Sequence, residues 1–278
     1  MNSGQWEFFG RTDTGCVRSN NEDNLLIDDA IGLLVVADGM GGHNSGEVAS
    51  ALAVSTIRDF ARKLLAGDQV MDPASDGAGF SLSGRQLDYC VRCANTVIYD
   101  KGRAFPDDAG MGTTVVAALA GPDHVSVAHV GDSRLYIFRN GTLVQLTEDH
   151  SLVGDQLRRG LISSEEAARS NLQNILTRAL GAEEDVRVDV ADHPVRSGDI
   201  ILMATDGLNK MVSDERIAQV IKTEASPKRI VEALVALARQ AGGTDNITVI
   251  CGCLTPRPAA GLLAKVRRLL KRSGGRRR

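Results

Sequence analysis

Four aspartates stand where apolar runs begin or end. Asp38 closes LLVVAD, Asp132 follows VSVAHVG, Asp206 follows IILMAT, and Asp245 precedes ITVICGCL. A glycine adjoins three of them, as Asp38-Gly39, Gly131-Asp132 and Asp206-Gly207. Taken singly, an aspartate at a strand end is a turn former. Four together carry a second meaning, because carboxylates at strand ends can converge at one end of a sheet while staying outside the apolar core. Converging anions repel unless cations lie between them. Oxygen-only donors suit hard Mg²⁺ or Mn²⁺ in preference to zinc. The glycines would let the backbone come close, and a glycine carbonyl can itself be a ligand. Two such ions offer a bridging hydroxide as nucleophile and a clamp for a tetrahedral oxyanion.

Phosphate esters are the natural substrates of that arrangement. The stretch TGCVRSNNED supplies Arg18, whose fork fits phosphate oxygens, and adds the carboxylates of Glu22 and Asp23. Alone, Arg18 would read as a surface arginine; its neighbours change that reading. Competing phosphate chemistries fit poorly. DGMGGHNSGE lacks the Lys-Ser/Thr ending of a P-loop and does not match G-x-G-x-x-G. No G-x-S-x-G elbow and no C-x5-R loop is present, so a covalent serine or cysteine route has no nucleophile.

The elements that must position these groups are mostly strands. LLVVAD, TTVVAALA, HVSVAHVG, RLYIF, TLVQLT, DIILMATD and ITVICGCL all read as strands. Asn140-Gly141 between two of them predicts a tight hairpin, and hairpin-linked strands imply antiparallel sheet rather than a Rossmann order. A first helix is predicted from a cap at Asn44, with Glu47 as capping-box partner, to about Leu65. A second covers about Gly84–Lys101, with Leu87, Cys90, Val91, Ala94, Val97 and Ile98 on one stripe. A third starts at Ser226-Pro227, buries Ile230, Leu234, Leu237 and Ala241, and stops at Gly242-Gly243. Residues 66–83 read as a loop. The polar segment 148–172 reads as a surface flap with a short helix after Ser163 or Ser164.

Composition sets the frame. The 278 residues, 43% hydrophobic and 24% charged, can bury a proper core, and the 4% aromatic share predicts one built of aliphatic residues. No run approaches the roughly 18 apolar residues of a membrane span, and the N-terminus lacks a signal-peptide pattern, so a cytoplasmic protein is expected. Five cysteines do not suggest a disulfide framework. Cys90-x-x-Cys93 with Cys251-x-Cys253 could make a zinc site, but one pair lies on a helical stripe and the other in a buried strand, which favours plain burial. The net charge of −3 conceals an asymmetry. Nine basic residues and no acidic one lie from Arg257 onward, leaving 23 basic against 35 acidic residues, a charge of −12, on the rest.

Taken in order, RTDTGCVRSNNEDN, VVADGMGGHNSGEVAS, GMGTTVVAAL, VAHVGDSRLYIFRNG, LTEDHS, ILTRALG, ILMATDGL and TDNITVI resemble the motif series of the metal-dependent type 2C serine/threonine protein phosphatases, the bacterial branch in particular. The resemblance spans about residues 8–254 and leaves out the tail. It implies an α+β fold, a four-layer α-β-β-α sandwich of two packed antiparallel sheets flanked by helices; the phosphatase domain would span 1–255, and a monomer is expected. It implies two Mn²⁺ or Mg²⁺ ions, bridged by Asp38, with the Gly39 carbonyl, Asp206 and Asp245 completing the shell of one and Glu22 acting on the other through water. Arg18 would hold the substrate phosphate, with Asp23 behind it. Asp132 would join Asp206 at a third, weaker ion. Many eukaryotic members carry histidine where this chain has Met40. His43 does not inherit its role and would organise a turn, so the general acid is unassigned.

Phosphoproteins are then the expected substrates and a serine/threonine kinase the opposing enzyme. The tail, 256–278, carries GLLAKVRRLLKR, with leucines on one side of a short helix and basic groups mostly on the other. That suits an anionic membrane surface, an acidic partner or a solvated tail, and nucleic acid least. Two rival functions stand: a non-catalytic regulatory domain of the same fold, and a hydrolase of small phosphate esters.

Overall fold

The computed structural model describes residues 4–42, 45–67 and 79–256. Strands β1 (Gln5–Asp13), β2 (Asp23–Asp28) and β3 (Leu33–Met40) lead into helices α1 (Ser45–Leu65) and α2 (Leu82–Ala104). Strands β4 (Gly112–Thr113), β5 (Val115–Ala120), β6 (His124–Val130), β7 (Arg134–Arg139) and β8 (Thr142–Gln145) follow. Then come α3 (Leu152–Arg158), α4 (Ser164–Arg169), β9 (Asp189–Pro194) and β10 (Ile200–Ala204). Short α5 (Asp206–Asn209), α6 (Asp214–Thr223), α7 (Pro227–Gln240) and β11 (Ile247–Thr255) complete the order.

One sheet runs β1-β11-β10-β7-β8 and the other β2-β3-β5-β6-β9, with β4 added beside β3, and every pairing is antiparallel. Period-2 alternation sorts the side chains into three apolar layers. Leu33, Val35 and Ala37 face α1 and α2, together with Ile57, Leu87 and Ile98. Leu34 and Val36 face the other way, meeting Leu135, Ile201, Met203 and Ile250 between the sheets. Leu202, Val249 and Cys251 meet Ile217, Ile230 and Leu234 of α6 and α7 on the far side. The order is helices, sheet, sheet, helices, the four-layer α+β sandwich the resemblance implies. At the end remote from the aspartates, Trp6 Nε1 donates to the Gly121 carbonyl at 2.7 Å and ties the sheets together.

The hairpin forms as its sequence demands, with Asn140 at φ 52° and Gly141 at φ 82° between β7 and β8. Helix α7 begins after Ser226, whose hydroxyl accepts from the Arg229 N–H. Its buried stripe is Ile230, Val231, Leu234, Val235 and Ala238, so the expected burial of Ala241 is corrected: that residue caps the helix and is exposed. On α2, Val97 is likewise exposed at 38%, and the helix starts earlier and ends later than expected. Asn44, His43 and the tail from residue 257 lie outside the described residues, as does 68–78 of the expected loop. Glu47 is bonded to Asn20 Nδ2 at 3.2 Å. The flap segment holds α3 as well as the expected helix, whose Ser163–Glu166 capping box is formed.

Candidate active site

The layer between the sheets turns from apolar to polar within one residue step on each strand. Inward from the mouth, Asp38 is followed by Val36 and Leu34, and Asp23 by Leu25 and Ile27. From the facing sheet, Thr205 follows Met203 and Thr248 precedes Ile250. Both threonine hydroxyls donate to Asp23 Oδ2, at 2.9 and 2.7 Å, so this carboxylate joins the sheets at the mouth. Asp23 therefore sits against threonines and Asp38; its hydrogen bonds do not run to Arg18.

Asp38 lies inside β3, since pairing continues through Gly39↔Thr113 and Met40↔Gly112 beyond the expected strand end. Its N–H donates to Thr114 Oγ1 at 3.1 Å, and its carbonyl accepts from the Thr114 N–H and the Thr113 hydroxyl at 2.9 and 2.8 Å. The backbone is thus fixed and the carboxylate left to the cleft. Asp206 opens the α5 turn directly after β10, and Asp245 stands two residues before β11. Asn246 links that approach to Glu22: its Oδ1 accepts the Glu22 N–H at 2.8 Å, and its Nδ2 donates to the Thr14 and Asn20 carbonyls.

The glycines beside the aspartates let neighbouring parts of the chain come close. A Cβ on Gly39 would stand 2.0 Å from the Gly46 carbonyl oxygen, and one on Gly207 only 1.9 Å from that of Asn246. One on Gly131 would stand 2.5 Å from Thr114 Cβ. These contacts draw the carboxylate-bearing segments onto one another, against backbone at Gly39 and Gly207 and against the Thr114 side chain at Gly131. Gly46 in turn makes room for Glu22, whose Oε2 would lie 2.4 Å from an added Cβ.

Arg18, Glu22, Asp38, Asp132, Asp206 and Asp245 line one cleft of about 380 Å³, together with the Gly39 backbone and Met40. Arg18 Nη2 pairs with Asp245 Oδ2 at 2.9 Å. Lys210, to which sequence reasoning gave no role, pairs through Nζ with Asp206 Oδ2 and with Asn174 Oδ1. Asp132 is held from both sides. Ser133 Oγ lies 2.8 Å from Thr114 Oγ1, and Gly131 is gripped by two histidines. Gly131 N–H donates to His150 Nδ1 at 3.0 Å, which leaves His150 Nε2–H to donate to Asp189 at 3.0 Å. His129 Nε2 lies 2.9 Å from the Gly131 carbonyl and donates to it.

The electrostatics show an unbalanced site. Burial lifts Asp38 well above the carboxylate range, and the charges of Asp23, Asp206, Asp132 and Asp245 lift it further. Burial and the Asp206 charge push Asp132 up to about 7, against the pull of Lys210. Burial also pushes Asp23 up to about 7, against its two threonine bonds. Glu22 rises by burial. Asp206 Oδ1 and Asp23 Oδ1 are buried without a hydrogen-bond partner. An orphaned carboxylate oxygen among like charges is costly, and it fits a site completed by hard cations.

Among the described residues, the group that brings three metal-ligand atoms within 4.8 Å is His129, His150 and Asp189. Three of its four ring nitrogens are taken by the bonds just described, so it serves as a support for Gly131. The carboxylate ring is wider, with Arg18 and Lys210 set against two of its members. The cysteines fall in separate layers, Cys90 on the buried face of α2 and Cys251 on β11 under α7, which removes a joint zinc site.

The model of the family described as Protein phosphatase 2C matches residues 17–242. The serine/threonine phosphatase stp of Listeria welshimeri is 38% identical over 247 residues, covering 86% of this chain and 92% of that protein. A crystal structure of the Mycobacterium tuberculosis serine/threonine phosphatase PstP/Ppp superposes with a TM-score of 0.78 at 34% identity, covering 90% of this chain and 99% of that one. The catalytic domain of PstP in complex with 2 manganese ions gives 0.76 at 34% identity, covering 90% and 98%. Motifs, fold and bacterial relatives agree: this chain belongs to the protein phosphatase 2C family of metal-dependent serine/threonine protein phosphatases.

Proposed function

We propose that the cleft releases phosphate from phosphoserine and phosphothreonine of proteins, with a pair of Mn²⁺ or Mg²⁺ ions held by its carboxylates. Asp38 is the shared ligand; Asp206, Asp245 and the Gly39 carbonyl serve one ion, and Glu22 serves the other. The observation that carries this reading is the buried, partnerless Asp206 Oδ1 beside carboxylates lifted in pKa by burial and by one another. When bound, the ions supply an activated water and the positive charge that steadies the phosphoryl group.

The chain's own residues do the remainder. Arg18 is 55% exposed and opens onto the cleft, where its guanidinium presents a fork to the phosphate oxygens. Asp245 holds that guanidinium in place. Asp23 and its threonines keep the cleft floor rigid, and the Asp38 backbone is locked by Thr113 and Thr114. Met40 lines the cleft and has no proton to give, so proton delivery to the leaving alkoxide belongs to water in the cleft.

Residues 1–255 serve as the phosphatase domain, 148–172 as its flap, and 256–278 as a basic tail for an anionic membrane surface or an acidic partner. Among the described residues no helix is long and apolar enough to cross a membrane. A serine/threonine kinase supplies the substrates. A panel of phosphothreonine and phosphoserine peptides beside small phosphate esters tests the reading. Preference for the peptides supports it, and preference for metabolites favours the small-molecule alternative.

A further inference from the structure

Lys210 sits within the acidic cleft, and the sequence pattern gave it no part in the chemistry. The four-residue turn α5 places it one helical turn after Asp206, and its ammonium pairs with Asp206 Oδ2. Asn174 accepts from the same ammonium, so the contact is held from two segments of the chain. The side chain is only 25% exposed. Asp132 lines the same cleft as Asp206, Asn174 and Lys210.

We infer that Lys210 is a tethered cation filling the place between Asp206 and Asp132 where the family resemblance puts a third, weaker metal ion, so that the residues present in this chain do not fit that ion. The inference rests on the reading of the cleft as a divalent-metal centre. Asp206 then has two oxygens with two duties: Oδ2 is taken by Lys210, and the partnerless Oδ1 is left for an ion of the pair. An ion held mainly by two carboxylates binds weakly, in the millimolar range of sparsely charged sites. A tethered ammonium acts at an effective concentration of about millimolar or above, so it competes with such an ion. The chain thereby balances the Asp132 side of the cluster without depending on a scarce metal.

The test counts bound Mn²⁺ by the electron paramagnetic resonance of the free ion, titrated into wild-type protein, Lys210→Met, Lys210→Gln and Lys210→Arg. Melting curves confirm that each is folded, and the two neutral variants guard against one failing to fold. The neutral variants are expected to take up one Mn²⁺ more than wild type, and Lys210→Arg the wild-type number. Adding Asp132→Asn to Lys210→Met is expected to abolish the extra ion. Equal uptake by wild type and the neutral variants overturns the inference and leaves the metal pair standing. No uptake by wild type overturns the metal centre itself, and the inference with it.

Discussion

Asp23 stands directly opposite Asp38 in the β2–β3 register, so two carboxylates share one face where the apolar layer between the sheets ends. The next pairs on the same face of the ladder, Leu25↔Val36 and Ile27↔Leu34, are apolar and set no such conflict. Like charges placed opposite each other on a sheet are destabilising unless something offsets them. Two threonine hydroxyls offset part of the burden on Asp23 Oδ2, and Oδ1 has no partner.

A pH dependence of stability follows from Asp23. Its folded pKa, about 7, lies above the ordinary 3.8. Between those values the folded chain holds a proton that the unfolded chain has released. The Asp23 contribution is thus fully present below about pH 4 and is lost as pH rises through 7. In EDTA, Asp23→Asn is expected to gain on wild type by ~2 kcal/mol between pH 5 and 8 in urea unfolding. His129 titrates in both proteins and cancels in the difference, which reports Asp23 together with the share of the Asp38 rise that the Asp23 charge causes.

His129 acts in the opposite sense. Burial, with His150 beside it, lowers it from 6.5 to about 3. The unfolded chain gains a proton below 6.5 that the folded chain refuses, so stability falls as pH drops through that window. Replacement by Gln, which keeps a donor for the Gly131 carbonyl, is expected to flatten the acid limb of melting temperature against pH.

Packing at the glycines is testable without any assay of activity. Gly39→Ala would place a methyl 2.0 Å from the Gly46 carbonyl oxygen, and Gly207→Ala one 1.9 Å from that of Asn246. Strand and helix, or turn and strand, must then separate, at a cost of ~3 kcal/mol each. Urea midpoints should fall accordingly, whereas Gly42→Ala, whose added Cβ meets nothing within 4 Å, should leave the midpoint nearly unchanged.

Arg18 pairs with a proposed metal ligand yet is not one itself. Arg18→Ala is expected to lower kcat/KM on a phosphothreonine peptide by ~30-fold, about 2 kcal/mol, while Mn²⁺ binding persists. Arg18→Lys keeps the charge but not the fork and should recover only part of the loss. Steady-state kinetics beside a metal titration separates the two effects.

Much of this site was legible because its residues sit at breaks in apolar runs. VVAD, IILMATD and DNITVI each change from core to carboxylate within a residue or two, and the structure brings those ends to one mouth. Asn140-Gly141 was legible for a local reason, since that turn needs positive φ. The opposition of Asp23 and Asp38 was not legible, because β2 carries no long apolar run and its register is set by a partner strand. Strand β9, DVADHP, is an edge strand, half-buried for most of its length, and so shows neither alternation nor an apolar block. Helix α6 was overlooked because only Ile217, Val220 and Ile221 are buried in ten residues. Lys210 gains meaning only once the α5 turn folds it back onto Asp206.

The most direct test measures phosphate release from a phosphothreonine peptide by the purified chain, in Mn²⁺ and then in EDTA, beside Asp206→Asn. The expected result is turnover that requires Mn²⁺, disappears with chelation and falls roughly 100-fold or more in the variant, which keeps its fold. Turnover that survives EDTA, or that Asp206→Asn leaves unchanged, would contradict the carboxylate-held metal pair. A folded wild-type protein that binds Mn²⁺ and releases no phosphate would point instead to the regulatory domain.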